Sequence, residues 1–245
     1  MRKRNVFSPG SGEPFQLSRN RLENFLKCPR CFYIDRRLGV DPPSGPPFNL
    51  NIAVDHLLKK EFDHYRALRE PHPYMLRENI NAVPFDHEQL DEWRENFKGV
   101  RFLHQNSGFL LTGAIDDLWI DLGTRELIVA DYKATAKDEE VGIDADWQIA
   151  YKRQMEFYQW LLRQNGFSVA RTGYFVYCNG DRAADGFGGR MEFKVSLIPY
   201  AGDDAWVEPA LMAARACLEG DAPPTATPGC KQCAYLEDIK SLGLA

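Results

Sequence analysis

The chain has 245 residues, of which 44% are hydrophobic and 27% are charged, proportions that are ordinary for a globular protein. No apolar run reaches the roughly 20 residues that cross a bilayer, and no signal peptide follows the basic N-terminus, so the sequence predicts a cytoplasmic protein without a membrane partner. The net charge of −5 excludes a protein coated in positive charge, but it is compatible with nucleic-acid binding through a local basic surface.

The first predicted element is a short helix that begins after the capping residue Ser18 and ends near Lys27. The segment from Arg19 to Arg37 carries many positive charges and only two negative ones. Its basic residues are Arg19, Arg21, Lys27, Arg30, Arg36 and Arg37. This segment is either a nucleic-acid-binding surface or an ordinary solvated helix followed by a charged loop.

A proline-rich loop and a long helix come next. Four prolines within Asp41–Pro47 exclude both a helix and a central strand, because proline has no backbone N–H to donate. Apolar residues then recur at helical spacing from about Ile52 to Leu68, which predicts an amphipathic helix. The segment Pro71–Gly99 has a mixed composition, and its sequence predicts no particular helix or strand.

The middle of the chain predicts a β-hairpin. Apolar and polar residues alternate through Phe109–Ile120, and Asp121–Arg125 has the composition of a turn. The returning strand, Glu126–Lys133, starts with an apolar run that is typical of a strand buried on both faces.

A helix is predicted at Trp147–Asn165, and Gly166 follows where a left-handed cap is expected. The remaining elements are strands at Arg171–Cys178 and Met191–Leu197 and a helix from Asp203 or Asp204 to Leu218.

Three charged side chains of the hairpin indicate a reactive site. Asp131 and Lys133 lie two residues apart on one strand and therefore share a face. Pairing through the turn brings Asp116 close to Asp131. Two carboxylates that hold Mg²⁺ or Mn²⁺, with a lysine that stabilises negative charge, are what phosphodiester hydrolysis requires. The alternative is an ordinary salt bridge across a hairpin.

The surrounding motifs favour the reactive site. The order Gly113-Ala-Ile-Asp116-Asp-Leu, a turn, and Val-Ala-Asp131-Tyr-Lys133 resembles the PD-(D/E)XK nuclease superfamily and, within it, the RecB-like branch. That branch includes nuclease domains of helicase–nuclease complexes and small exonucleases of CRISPR adaptation. It also carries a Gln-x-x-x-Tyr motif on the helix after the lysine, which here is Gln154 and Tyr158 on one helix face.

The resemblance implies an α/β fold, in which a mixed central β-sheet flanked by helices forms a restriction-endonuclease-like core within a single domain over residues 1–245. It also implies that a histidine on an early helix binds the metal, and His56 occupies that place. Asp55 and Asp63 are the alternatives on the same helix. The resemblance further implies a metal ligand in the backbone carbonyl of Tyr132.

Four of the six cysteines form two Cys-x-x-Cys pairs in segments that contain proline or glycine: Cys28, Cys31, Cys230 and Cys233. Disulfides are not expected in a reducing compartment, and Cys178 and Cys217 lie in apolar stretches as candidate core residues. Two such pairs are compatible with either a structural Zn²⁺ or an iron–sulfur cluster.

The resemblance favours a [4Fe–4S] cluster, because several RecB-like proteins hold one with one early and three late cysteines. Here Ile239 stands where the last cysteine is expected, so Cys31 is the candidate fourth ligand. In either case the site is expected to connect segments 17–40 and 222–240.

The sequence therefore predicts a Mg²⁺- or Mn²⁺-dependent DNA nuclease, either an exonuclease or one that prefers single strands or ends. DNA repair, recombination and CRISPR-type defence are the expected settings, with a helicase or CRISPR-adaptation protein as partner. A catalytically silent DNA-binding or partner-docking subunit is the alternative, although such a protein has no reason to keep all five motif residues. An RNA-directed nuclease is a third interpretation.

Overall fold

The computed structural model describes residues 5–42, 45 and 48–243. The helices are α1 (Arg19–Lys27), α2 (Pro29–Arg36), α3 (Asn49–Leu68), α4 (Pro73–Arg77), α5 (Leu90–Trp93), α6 (Ile149–Gln164), α7 (Val207–Glu219) and α8 (Lys231–Ser241). The strands are β1 (Phe15–Ser18), β2 (Ala82–Pro84), β3 (Val100–His104), β4 (Phe109–Gly113), β5 (Asp117–Asp121), β6 (Leu127–Thr135), β7 (Thr172–Gly180) and β8 (Phe193–Ala201).

The predicted fold class is confirmed, because the chain is a mixed α/β protein with two sheets flanked by helices. It divides into two compact units. Unit 1 comprises the described residues within Met1–Pro46, Arg101–Thr112 and Ala205–Ala245. Unit 2 comprises those within Pro47–Val100 and Gly113–Asp204.

Unit 2 is built on a five-stranded sheet in the order β2-β5-β6-β7-β8. Strands β6 and β7 are parallel, and the other neighbouring pairs are antiparallel. Leu58 and Phe62 of α3 pack on one face of the sheet with Trp119, Tyr132 and Val176. Since side chains alternate along a strand, Asp131 and Lys133 belong to the opposite face, where Lys133 meets α6.

The predicted hairpin is present, but its first strand is shorter than expected. The run Phe109–Ile120 forms two strands that belong to different sheets and are separated by residues 114–116. In unit 1, β4 pairs in parallel with β1, from Phe15 opposite Phe109 to Ser18 opposite Thr112. In unit 2, β5 pairs with β6. The prediction of one continuous strand is wrong. The alternation of apolar and polar residues indicates which face of a sheet a side chain occupies, but it does not indicate which strand pairs with the segment.

Several other boundaries differ from the predictions. The helix expected at Trp147–Asn165 begins as a 3₁₀ turn, and α6 proper starts at Ile149. Gly166 has the expected left-handed backbone, with φ of 87°. Helix α7 starts at Val207 rather than at Asp203 or Asp204. Among the described residues, four helices and three strands lie where none was assigned, namely α2, α4, α5, α8, β1, β2 and β3.

The basic N-terminal segment is largely neutralised by ion pairs within unit 1. Arg21 and Arg36 both contact the buried carboxylate of Asp35, and Arg30 lies 2.9 Å from Glu237. These contacts favour a charged helical surface over a dedicated nucleic-acid-binding surface. Of the predicted loop Asp41–Pro47, four residues lie outside the described part of the chain. No helix among the described residues is long and apolar enough to cross a membrane.

Candidate active site and metal centre

The register of the hairpin brings the two predicted metal-binding carboxylates together. Asp117 of β5 pairs with Ala130 of β6, so that Asp116 stands opposite Asp131. The backbone N–H of Tyr132 donates a hydrogen bond of 2.8 Å to Oδ2 of Asp116 and holds this carboxylate at the start of β5. Asp131 is fully buried, whereas Asp116 is partly accessible. The register and this hydrogen bond place Asp116 beside the backbone of β6 next to Asp131.

Lys133 connects this pair to helix α6. Its Nζ donates a hydrogen bond to Oδ2 of Asp131 and lies 3.5 Å from Oε1 of Gln154. The same ammonium group lies 4.7 Å from the centre of the Tyr151 ring. Burial and the charge of Asp131 raise the pKa of the Tyr151 hydroxyl, which favours a neutral ring beside the lysine. The salt bridge lies within β6 rather than across the hairpin, as the ordinary alternative expected, and a polar side chain of the predicted motif contacts it.

The motif residues of α6 have unequal exposure. Gln154 is half-buried, and its Nε2 donates a 3.2 Å hydrogen bond to the hydroxyl of Tyr158. Tyr158 is buried, and its ring packs against Gly113, where an added Cβ atom would lie only 2.8 Å from Cε1. The glycine of the strand motif thus provides the space that the tyrosine of the helix motif fills. Gln154 is the member of the pair that can reach a substrate.

Asp117, the neighbour of Asp116, has a structural role that the sequence reading missed. It is fully buried, and its Oδ1 accepts hydrogen bonds from Arg66 and Arg94, the latter at 2.8 Å. Its Oδ2 accepts a 2.8 Å hydrogen bond from the Tyr132 hydroxyl. Burial and the charge of Asp117 raise the pKa of that hydroxyl well above its usual value. Strand alternation contained the signal, since adjacent aspartates must point to opposite faces.

Helix α3 contributes a second carboxylate near Asp116. Lys59 Nζ lies 2.9 Å from Oδ2 of Asp55 and 3.8 Å from Oδ1 of Asp116. Burial, followed by the charge of Asp116, raises the pKa of Asp55. His56 is exposed on the same helix, and Asp63 contacts Arg66 and Arg94. Asp55 is therefore the candidate whose contacts reach the Asp116 carboxylate, whereas Asp63 is connected through Arg94 to the backbone carbonyl of Asp116.

These oxygen donors fit a hard divalent ion, because Mg²⁺ and Mn²⁺ prefer carboxylate and carbonyl oxygens. The ammonium group of Lys59 lies beside the Asp116 carboxylate, and that of Lys133 contacts the Asp131 carboxylate. Within residues 5–42, 45 and 48–243, the side chains of Asp116, Asp131 and His56 do not form a compact ligand group. The group that does so consists of cysteines.

The four predicted cysteines come together in unit 1. Their sulfur atoms all lie within 4.8 Å of one another, and Cys28 and Cys233 are buried. Burial alone would raise the pKa of Cys28, but backbone hydrogen bonds from Thr227 and Cys31 lower it to about 6. Cys178 is buried as predicted, and Cys217 is partly buried beside the carbonyl of Pro29. The expected connection between the N- and C-terminal segments is therefore geometrically possible.

Comparison with known protein families assigns the chain to a superfamily. A model of the PD-(D/E)XK nuclease superfamily matches residues 16–237. The chain belongs to this superfamily. It is also similar to a solved structure titled "Crystal structure of SSO0001", with 17% sequence identity, coverage of 85% of this chain and 79% of that chain, and a TM-score of 0.40. A search among curated proteins found no match.

The PD-(D/E)XK match includes both the carboxylate–lysine site and the cysteine cluster. Nucleases of the superfamily use divalent metal ions, so membership supports a metal-dependent nuclease. The assignment to the RecB-like branch and the roles of the individual site residues stay predictions.

Proposed function

We propose that the protein is a Mg²⁺- or Mn²⁺-dependent deoxyribonuclease that acts on single strands or DNA ends. The observation that carries the proposal is the contact of Lys133 with both Asp131 and Gln154, with Asp116 opposite Asp131 on the paired strand. Superfamily membership supports the same conclusion. A structural salt bridge has no need of a glutamine from α6. Gln154 accepts from Lys133 through Oε1 and donates one N–H of its Nε2 to Tyr158, and the second N–H is the donor that we propose for a phosphate.

Each residue has a distinct role in this proposal. Asp116, Asp131 and the backbone carbonyl of Tyr132 hold the metal, with His56 or Asp55 as a further ligand from α3. When bound, the ion polarises the phosphate and lowers the pKa of a water molecule.

Lys133 then places its positive charge where negative charge develops on the phosphate oxygens. Gln154 orients the phosphate through its amide, and Tyr158 fixes the amide through its hydroxyl.

The alternative function is a catalytically silent DNA-binding or partner-docking subunit of the same fold. A silent subunit needs no lysine in contact with a buried aspartate, since burying charge is costly unless the pair has a use. The observed contacts therefore favour the enzyme. RNA contains the same phosphodiester bond, so substrate class must be tested directly.

Purified protein is expected to cleave end-labelled DNA with Mg²⁺ or Mn²⁺ and to stop when the ion is chelated. The reaction is followed on single-stranded DNA, blunt duplex and RNA of matched sequence. Cleavage of RNA alone would overturn the choice of DNA, and cleavage that persists in chelator would overturn metal dependence. Binding of DNA without cleavage under all metal conditions would favour the silent subunit.

An exposed aromatic side chain beside the site supports the preference for single strands or ends. Trp147 is 56% exposed, and its ring contacts Tyr151 at 5.4 Å between centroids, with the planes at 80°. Tyr151 in turn lies beneath Lys133. Lys137 Nζ stands 5.6 Å from the centre of the Trp147 ring. An exposed indole with a neighbouring ammonium group can stack an unpaired base and bind its phosphate.

Trp147→Ala is expected to lower kcat/KM on a single-stranded oligonucleotide by about 5- to 150-fold, the range that corresponds to one lost base stack of 1–3 kcal/mol. The loss should appear mainly in KM, because the indole binds substrate without touching the reacting phosphate. A blunt linear duplex offers few unpaired bases to the indole, so its cleavage should change less than that of the single strand.

The matched control is Leu122→Ala, which removes an exposed apolar side chain at the hairpin turn, the opposite end of β6 from Lys133. This variant should behave as the wild type. If Trp147→Ala also cleaves single strands at the wild-type rate, stacking at this position is wrong, while the nuclease assignment stands.

We also propose a cytoplasmic location, because none of the six cysteines, all of which lie in the described part of the chain, forms a disulfide bond. DNA repair, recombination or CRISPR-type defence, with a helicase or CRISPR-adaptation protein as partner, is the setting that fits a nuclease acting on ends or single strands.

A further inference from the structure

The two cysteine pairs share one local geometry. Cys28 and Cys230 are the N-caps of α2 and α8, and Cys31 and Cys233 are the third residues of these helices. A helix N-terminus presents unsatisfied backbone N–H groups and the positive end of the helix dipole, both of which stabilise thiolates. Two helix N-termini therefore present four ionisable sulfur atoms to a common centre.

The distances between the sulfur atoms indicate the size of what they can hold. The Sγ atom of Cys31 lies 3.4 Å from that of Cys233 and 3.6 Å from that of Cys230, and Cys28 lies 3.7 Å from Cys233. All four sulfur atoms lie within 4.8 Å of one another. With Zn–S bonds of about 2.3 Å, the edge of a regular tetrahedron of thiolates is about 3.8 Å. These three separations lie close to that edge, and none of the six exceeds 4.8 Å, which is the size of a site for one ion.

The same separations do not fit the [4Fe–4S] cluster that the sequence resemblance implies. In that cluster each thiolate binds a different iron atom from outside, so four irons and four sulfides lie between the cysteines. Sulfur atoms within 4.8 Å of one another do not enclose such a core. Ile239 also occupies the place of the last expected cysteine, and Cys31 from the first helix completes the set instead.

We propose that these four cysteines bind a single structural Zn²⁺. Each thiol that coordinates the ion releases its proton to solvent, so four thiolates and one Zn²⁺ leave a net charge of −2 near two helix N-termini. All four tetrahedral positions are occupied by protein sulfur, which leaves no position open to a substrate. The ion joins α2 and α8, which the Arg30–Glu237 ion pair also connects. Its role is to hold together parts of the chain that are 199 residues apart.

The metal content of the wild-type protein tests this proposal directly. Protein purified without oxygen is expected to contain one zinc per chain, no acid-labile sulfide and none of the broad visible absorption of iron–sulfur clusters. Exchange with Co²⁺ should produce the visible bands of a tetrahedral thiolate site. Iron accompanied by sulfide, one iron without sulfide, or a protein without any of these metals would each overturn the assignment.

A pair of variants locates the ion. Cys31→Ser should lose the zinc and lower the melting temperature, because one of four ligands is removed from a site that joins distant segments. Cys217→Ser is the control, since Cys217 belongs to the same unit but lies outside the cluster; it should retain one zinc per chain. A full equivalent of zinc in Cys31→Ser would refute the site. These readouts do not depend on DNA cleavage and are therefore independent of the proposed nuclease function.

Discussion

Asp116→Asn is expected to fold normally and to cleave DNA at least about 100-fold more slowly than the wild type, the size of effect seen when one transition-state-stabilising group is removed. Asparagine keeps an oxygen that accepts the hydrogen bond from the Tyr132 N–H, so the start of β5 retains its anchor. What is lost is the negative charge that binds the divalent ion. The measurements are kcat on single-stranded DNA and the thermal unfolding of the same preparation.

Lys133→Ala separates metal binding from chemistry. It should lower kcat by a similar factor of about 100–1,000 while Mn²⁺ affinity, measured by calorimetry, is retained, because the lysine is proposed to act on the phosphate. Loss of Mn²⁺ binding in Lys133→Ala would contradict that role. Wild-type cleavage by folded Asp116→Asn would refute the carboxylate assignment itself.

Asp117→Asn, one residue further along the chain, is expected to show the opposite phenotype. The change removes the charge that pairs with the buried guanidinium groups of Arg66 and Arg94. Breaking a buried ion pair from one side typically costs about 3–5 kcal/mol. Here the two guanidinium groups would lose their buried partner and keep only the half-exposed Asp63. Urea denaturation should show this loss in the free energy of unfolding. Where Asp117→Asn remains folded, cleavage per folded molecule should stay within a few-fold of the wild type.

Asp63→Asn is the matched control for this prediction. Asp63 contacts the same two arginines, but its side chain is 44% exposed. Exposed ion pairs contribute about 1 kcal/mol or less, so this variant should lose little stability. Equal losses in Asp63→Asn and Asp117→Asn would show that burial does not determine the effect. A selective loss of kcat in a fully stable Asp117→Asn would instead place this residue in catalysis.

The contrast between Asp116 and Asp117 shows which parts of the site a local sequence pattern can predict. The two-residue period of a strand and the length of the turn are local properties, and together they predict the hairpin register that continues from Asp117 opposite Ala130 to Asp116 beside Asp131. The same period implies that Asp117 points the other way. Of its two arginine partners, however, Arg66 lies in α3 and Arg94 lies at the end of α5. Helix α5 belongs to the segment Pro71–Gly99, whose sequence has no recognisable pattern. The partners of a buried charge are therefore not predictable from the strand alone.

The errors in the fold have a similar origin. Residues 109–120 alternate throughout, but β4 pairs with a distant strand and β5 with a near one, which a local pattern cannot distinguish. Helices α2 and α8 were missed because cysteines and nearby prolines suggested loops. Pro29 at the first position of α2 is in fact a helix-start signal, since proline has no N–H to leave unsatisfied there. The sequence predicts that the two cysteine pairs lie close to each other, whereas the distances between their sulfur atoms depend on how α2 and α8 pack.

The separation of the two cysteine pairs also sets an order of events during protein synthesis. A ribosome adds about 5–20 residues per second, so the first pair waits about 10–40 s before Cys230 is made. The residues from Asp116 to Tyr158 are all polymerised during that interval. A chain interrupted before Cys230 carries every proposed cleavage residue but only two of the four cysteines of the cluster. A site that uses all four cysteines can therefore be completed only after translation has passed Cys233, later than every residue of the proposed cleavage site.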